Sequence, residues 1–375
     1  MLSCGEASGD LYAGALVAEL RRRAPGTDVF GLGGQRFASA GGELIGDFEG
    51  LSVTGLTEAL RVLPRSYAML RRLVAAARQR KPDVFVAIDY PDFNFRLMAA
   101  LRRLGIPVVY YVSPQLWAWR PRRMETMKAL VDKVLVIFPF EQAIYERAGV
   151  PVEFVGHPLV DLARAQEPKD AFRREIGLDP DRPVVALLPG SRPNEVARLL
   201  PVIRDGVAKI AAQLPRVQFV IARAPSLDNR LFSSLKWRGV RPVEVLARTD
   251  DVLAISDVAI TASGTATVQA ALHGRPMVVV YRLSPLTYRL GRRFLLVEHV
   301  AMVNLIAGRR LVPELIQDDC TAENIATETL SLLTNHARAE DTRRGLADVC
   351  AKLGGSGASG RAADAVLEVA ARGSH

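Results

Sequence analysis

The chain has 375 residues, enough for one large or two medium domains. Its 49% hydrophobic and 24% charged residues are ordinary globular values that exclude disorder, a collagen-like fibre and a small disulfide scaffold. Its 49 Lys and Arg against 40 Asp and Glu leave a net charge of +9, which favours an anionic partner such as nucleic acid, a phosphosugar or an acidic membrane. Cys4, Cys320 and Cys350 stand far apart, without disulfide-framework or zinc spacing, which fits a reducing cytoplasm. No apolar run reaches the roughly 20 residues of a membrane span, and the amino terminus lacks the order of a signal peptide. A membrane contact, if there is one, is therefore expected on the surface. The closing Arg372-Gly373-Ser374-His375 reads like the start of a histidine tag.

In chain order, short Val- and Ile-rich runs predict strands at 84–88, 107–112, 133–138, 152–155, 184–188, 217–221, 243–246, 258–261 and 276–281, separated by segments of helical period. Nearly continuous apolar strands imply an α/β fold with parallel sheets covered by helices on both faces. Pro and charge interrupt the rhythm between 162 and 183. The expectation is two Rossmann-like, doubly wound domains facing a cleft: residues 1–162, a linker at 163–183, and residues 184–336. Helices at 337–371 are expected to pack back on the first domain, with 372–375 left over.

The chemistry-bearing residues follow the same order. Gly5-Glu6-Ala7-Ser8-Gly9-Asp10 leads into a helix from Leu11. Between Leu60 and Lys81 lie Arg61, Arg65, Arg71, Arg72, Arg78, Arg80 and Lys81 without one acid, interleaved with Leu63, Tyr67, Met69, Leu70 and Leu73. A basic amphipathic helix of this kind suits an anionic bilayer, and a solvated helix covering the sheet explains the same pattern. Asp89 closes the clearest strand. A carboxylate at a sheet's carboxyl edge can take a proton from a bound hydroxyl, or be an ordinary turn residue, whereas Asp92 after Pro91 reads as the next helix's N-cap. Ser113-Pro114-Gln115-Leu116-Trp117-Ala118-Trp119 sets two tryptophans beside Arg120, Arg122 and Arg123, which suits a sugar or lipid headgroup, although core packing accounts for at least one Trp. His157, in Gly156-His157-Pro158, reads as a structural hydrogen bonder.

Two later loops suit anions. Pro189-Gly190-Ser191-Arg192 joins a strand to a helix start, where free N–H groups and a forked guanidinium favour phosphate; a plain βα turn with a surface arginine is the alternative. Ala262-Ser263-Gly264-Thr265 repeats the arrangement, with Ser263 and Thr265 as ligand donors or simple N-caps. Together the loops suggest a bound diphosphate. The one DxD, Asp179-Pro180-Asp181, reads as a turn; no histidine pair has ligand spacing; and both the Walker lysine and the full dinucleotide fingerprint are missing. No metal and no cofactor are expected.

These blocks, with Val303-Asn304-Leu305-Ile306 and Val312-Pro313-Glu314-Leu315-Ile316, resemble the lipid A disaccharide synthase family over nearly the whole chain. The resemblance implies a GT-B fold and an inverting transfer from UDP-2,3-diacylglucosamine to 2,3-diacylglucosamine 1-phosphate. The products would be UDP and the β-1,6 disaccharide of lipid A. It implies Asp89 as general base; Gly190, Ser191, Arg192, Ser263, Gly264, Thr265 and Gln269 at the donor; and Ser8, Gly9, Asp10, Asn94, Gln115, Trp117 and Asn304 at the acceptor. Arg61, Arg65, Met69, Arg71 and Arg72 would meet the anionic inner-membrane surface from the cytoplasmic side. No nucleic-acid partner is implied, and a homodimer stays open. Two departures stand out: Gln269 replaces the family's acidic residue, and only Met1 to Cys4 precede the first motif, which predicts a weaker first sheet. The rival readings are a UDP-sugar 2-epimerase on the same fold and a non-enzymatic basic protein binding membrane or RNA.

Overall fold

The computed structural model describes residues 1–48, 56–116, 123–233, 235–283 and 299–373, and side chains of the helix Leu56–Arg80 from residue 63 onward. Trp117, Trp119, Arg120, Arg122, Ser374, His375 and the side chain of Arg61 lie outside the described residues. The chain forms two compact units, residues 1–158 with 353–375, and residues 159–352.

The first unit is built on a seven-stranded parallel sheet. Its strands are β1 (Leu2–Cys4), β2 (Phe30–Gly33), β3 (Glu43–Asp47), β4 (Phe85–Ile88), β5 (Val108–Tyr111), β6 (Lys133–Val136) and β7 (Val152–Phe154), in the order β3-β2-β1-β4-β5-β6-β7. β4 and β5 are buried along their whole length, as strands covered on both faces must be. The short β1 is also wholly buried and pairs with β2 through Leu2 and Gly31 and with β4 through Leu2 and Val86, so it forms a central strand rather than a weak edge. The helix Ala358–Gly373 packs on the helix Ala7–Arg23, burying Ala358, Ala362, Ala363, Val366 and Val369. Arg23 pairs with Asp364, and Lys133 with Glu368, at its rim.

The second unit carries six parallel strands: β8 (Val184–Leu188), β9 (Gln218–Arg223), β10 (Val243–Leu246), β11 (Val258–Ala262), β12 (Met277–Tyr281) and β13 (Glu314–Ile316), ordered β10-β9-β8-β11-β12-β13. The helix Pro193–Gln213 turns Val196, Leu199, Ile203, Val207 and Ile210 toward the core at three- and four-residue spacing.

Four expected segments differ from these units. The first unit closes at Pro158, not at 162. Residues 163–183 are not a free linker: the helix Lys169–Glu175 buries Phe172 beneath the Arg248 guanidinium, 4.3 Å from the ring centre. The carboxyl-terminal helices divide between units. The helix His336–Lys352 belongs to the second, because a glycine-rich turn with Gly354 and Gly357 at φ 83° and 91° breaks the chain before Ala358. The last helix runs on through Gly373, so Arg372 and Gly373 are part of the fold.

His157 is buried between the rings of Tyr12 and Phe138, and its N–H donates to the Leu353 carbonyl at 2.8 Å, which ties the two stretches of the first unit together. Burial holds its imidazole down at about 3, far below the ordinary value near 6.5, so the folded chain keeps it neutral. Unfolding frees it to take a proton, and stability from this group is present above pH 6.5 and lost as pH falls toward 3. Urea denaturation at pH 7, 5.5 and 4.5 should show the first unit weakening, with a shallower slope in His157→Gln; equal slopes in both proteins would assign the acid sensitivity elsewhere.

Candidate active site

The strand order of the first sheet reverses between β1 and β4. Chains leaving such neighbours diverge and open a crevice at the carboxyl edge. Gly5 follows β1 there, and Asp89 follows β4. Asp89, Tyr90 and Val112, on the ends of adjacent β4 and β5, have φ of 44°, 52° and 57°. Left-handed backbone costs a non-glycine residue about 1–3 kcal/mol, and most for a β-branched one.

Specific contacts offset that strain. The Asp89 carbonyl accepts from Asn94 Nδ2 and Tyr110 Oη, each at 2.7 Å. The Asn94 N–H donates to the Tyr90 carbonyl at 3.0 Å. The Tyr90 ring lies so close over Gly5 that a Cβ there would come within 2.1 Å, and it stacks on Phe93 with centroids 5.4 Å apart. Burial, then the charge of Glu6, pushes the Tyr90 phenol up to about 12. The half-buried Asp89 therefore leaves the sheet from a fixed backbone.

Several residues expected to touch the acceptor carry hydrogen bonds or packing within the fold. Asn94 is wholly buried, its Oδ1 accepting from Ser3 Oγ at 2.7 Å, so it links β1 to the Asp89 turn and positions the acid. Asp10, 5% exposed, accepts from the N–H groups of Gly34, Arg36 and Phe37 at 2.7, 2.9 and 3.0 Å and caps the helix Gln35–Ser39. Gly9 is buried against Cys4. Ser8 and Gln115 are half-buried near the ends of β1 and β5. Asp92 is not the N-cap of the helix Pro91–Arg102: Pro91 takes the first helical position, Tyr90 caps, and Asp92 pairs with Arg123 at 2.8 Å.

On the helix Leu56–Arg80, Arg65, Arg71 and Arg72 are exposed with Leu63 and Tyr67, the latter 62% exposed. Met69 differs from the expected surface role, because it folds over Gly46 and packs on the core. Arg80 pairs with Asp28 and Glu43.

The second sheet reverses between β8 and β11, and both predicted anion loops leave there. Gly190, at φ 116°, carries the Glu195 side chain so close above it that any Cβ would collide. Arg192 is the exposed N-cap of the helix Pro193–Gln213. Gly264, at φ 144° with open space around it, caps the helix Thr265–Leu272, so neither Ser263 nor Thr265 is the N-cap. Thr267 Oγ1 closes that turn on the Gly264 carbonyl at 2.8 Å, and Ser263 Oγ donates to the Val300 carbonyl at 3.2 Å. Each helix start carries about half a positive charge. Tyr281, ending β12, is raised by burial and feels Glu195 and Arg192 together, so these charges converge on it.

Gln269 Nε2 lies 3.3 Å from both Asp250 oxygens, and His273 Nε2 lies 3.0 Å from one of them. Sequence reading missed Asp250 and His273, since only the packing of two helices joins them to Gln269. Asn304 is wholly buried. Its Nδ2 donates to the Val312 carbonyl and Glu314 Oε1, and its Oδ1 accepts from the N–H groups of Leu311 and Val312, at 2.7–3.0 Å. It holds the segment before β13. Among the described residues no cluster of His, Cys, Asp or Glu could hold a metal, and no helix is long and apolar enough to cross a membrane.

Two parallel Rossmann-like units with candidate sites at their switch points have the architecture of GT-B proteins. Similar solved structures include UDP-GlcNAc 2-epimerase from Neisseria meningitidis bound to UDP-GlcNAc (TM-score 0.71, 14% identity, 98% of this chain and 99% of that one). The calicheamicin glycosyltransferase CalG4 is similar too (TM-score 0.60, 20% identity, 99% and 97%). Such identities show the fold alone. Sequence decides the family. The model described as lipid-A-disaccharide synthetase matches residues 1–369. Lipid-A-disaccharide synthases of Myxococcus xanthus (46% identity, 98% of this chain and 97% of the relative) and Geobacter sulfurreducens (45%, 98% and 96%) align throughout. The chain belongs to the lipid-A-disaccharide synthase family and is a glycosyltransferase of lipid A biosynthesis.

Asn304→Ala would strand the Val312 N–H and take a donor from the Val312 carbonyl, while the Leu311 N–H keeps the Arg309 carbonyl and Glu314 keeps the N–H groups of Val300 and Ala301. It should cost about 1–3 kcal/mol, read as a lower urea midpoint. An unchanged midpoint would return Asn304 to the ligand-facing set.

Proposed function

We infer that the enzyme moves the glucosaminyl group of UDP-2,3-diacylglucosamine to the 6-hydroxyl of 2,3-diacylglucosamine 1-phosphate. Asp89 takes the hydroxyl proton, the oxygen attacks the anomeric carbon from the face opposite the diphosphate, the carbon–oxygen bond to phosphate breaks, and UDP leaves. Attack from that face inverts the centre and gives the β-1,6 disaccharide. The observation that carries this reading is the strained Asp89 turn, held at the switch point of one sheet by Asn94 and Tyr110. In the other sheet, two helix starts and Arg192 would take the negative charge that grows on the departing diphosphate. The exposed basic face of the helix Leu56–Arg80 supports a peripheral place on the cytoplasmic side of the inner membrane, where both acylated substrates would reside.

The direct test incubates purified protein with both acylated glucosamines and follows UDP release and disaccharide by mass spectrometry. Steady UDP release with the disaccharide supports transfer, and an epimerised sugar nucleotide with no disaccharide would favour the 2-epimerase reading. Asp89→Asn should slow turnover about 10²- to 10⁴-fold while UDP affinity stays within a few-fold. Arg192→Ala should weaken UDP binding by about 1.5–3 kcal/mol, the worth of a charge-assisted contact. Reversal of that pattern would move the base to another residue. EDTA should leave the rate unchanged; loss on chelation with recovery on magnesium would overturn the metal-independent account.

Each exposed basic residue contributes about 1 kcal/mol at an anionic surface. Replacing Arg65, Arg71 and Arg72 by Glu should release the protein from phosphatidylglycerol vesicles and spare activity in neutral detergent micelles. Unchanged cosedimentation would make this helix a solvated face.

A further inference from the structure

The helix Pro193–Gln213 has a second apolar stripe besides the one that enters the core. Pro193, Ala197, Leu200 and Pro201 fall on one helix face and form one wall of a cavity of about 410 Å³. Leu231 and Leu235, from the segment after β9, form the other. That volume lies within the roughly 300–1,000 Å³ of small-molecule sites. Leu200 is buried, but Pro193, Ala197 and Pro201 are exposed and Leu231 and Leu235 half-buried, so the apolar lining meets open space. The two charged residues beside it, Asp228 and Arg230, pair with each other at 2.6 Å. Apolar walls whose charges satisfy one another suit hydrocarbon.

Position says which hydrocarbon. β8 and β9 are neighbours in the sheet, and the cavity lies between the helix that follows one and the segment that follows the other. Its first residue, Pro193, directly follows Arg192, the proposed diphosphate contact. From there it runs along the helix to Pro201, a distance of about 12 Å at 1.5 Å per residue. On the donor, the anomeric carbon that bears the diphosphate is bonded to C2, whose nitrogen carries an acyl chain. A diphosphate resting on Arg192 therefore brings that chain to the Pro193 end of the cavity. We propose that the cavity between Pro193–Pro201 and Leu231–Leu235 receives the 2-acyl chain of the donor, and that its length sets how many methylenes are buried. This rests on the acylated UDP-sugar reading above and adds its hydrocarbon subsite. Ala197, midway along the helix wall and the smallest side chain on it, keeps the cavity open.

Competition against radiolabelled UDP on the full chain tests it, using UDP-2,3-diacylglucosamines whose 3-chain is acetyl and whose 2-chain runs from acetyl to dodecanoyl. Wild-type affinity should rise by up to about fourfold per methylene until the cavity is full, and then level off. Ala197→Trp should end the rise at a shorter chain and cost the longest donor about tenfold or more, while UDP and the 2-acetyl donor stay within about twofold of wild type. Leu235→Trp, from the opposite wall, should do the same. Wild-type affinity that ignores the 2-chain, or variants that keep the wild-type length response, would overturn the proposal. So would a loss shared by UDP and every donor. If Ala197→Trp keeps the length response and instead loses cosedimentation with phosphatidylglycerol vesicles, the cavity takes bilayer lipid and the donor assignment falls. Wild type that binds no UDP would overturn the donor reading itself.

Discussion

Parallel strands all end on one edge of a sheet, and where their order reverses the departing chains part company and leave a gap that only loop backbone and the first few side chains can fill. Both sheets of this protein have one such gap, and the chemistry in the two is opposite. The first presents a carboxylate on backbone that other residues hold rigid. The second presents two helix starts, a guanidinium and glycines, a lining that suits anions. A proton acceptor and a charge stabiliser are what the proposed glycosyl transfer to a hydroxyl needs.

Much of the scaffold could be read from pattern. All nine predicted apolar runs are strands, because burial on both faces leaves a continuous hydrophobic signal. β1, β2, β3 and β13 were missed for physical reasons. They are only three to five residues long, β2 reads Phe-Gly-Leu-Gly, and β3 is a largely exposed edge. The Pro- and charge-rich stretch at 163–183 resembled a linker because the burial of Phe172 depends on Arg248, far away in sequence. The glycines at 354, 355 and 357 were the available sign that the last helices part.

In the candidate site, the place of Asp89 was legible and its geometry was not, since the left-handed turn depends on Tyr110, Asn94 and Gly5 from three other segments. Asp10, Asn94 and Asn304 look like ligand-binding residues by type and motif, yet their polar atoms are used inside the fold. A buried amide or carboxylate without partners is costly, so such residues are constrained as tightly as a catalyst would be. Motifs in this chain thus preserve a shape as much as a contact. The kinship in fold with an epimerase makes the same point, because one architecture carries different chemistries according to what stands at the strand ends.

The first unit is made from two stretches of chain with the whole second unit between them. During synthesis the seven strands of its sheet leave the ribosome early, but the helix that covers Ala7–Arg23 arrives only after residue 353. A nascent chain therefore carries an uncovered apolar stripe through the making of the second unit, which can close on its own contacts first. The half that bears Asp89 is therefore completed only when the last residues arrive, although its sequence comes earliest.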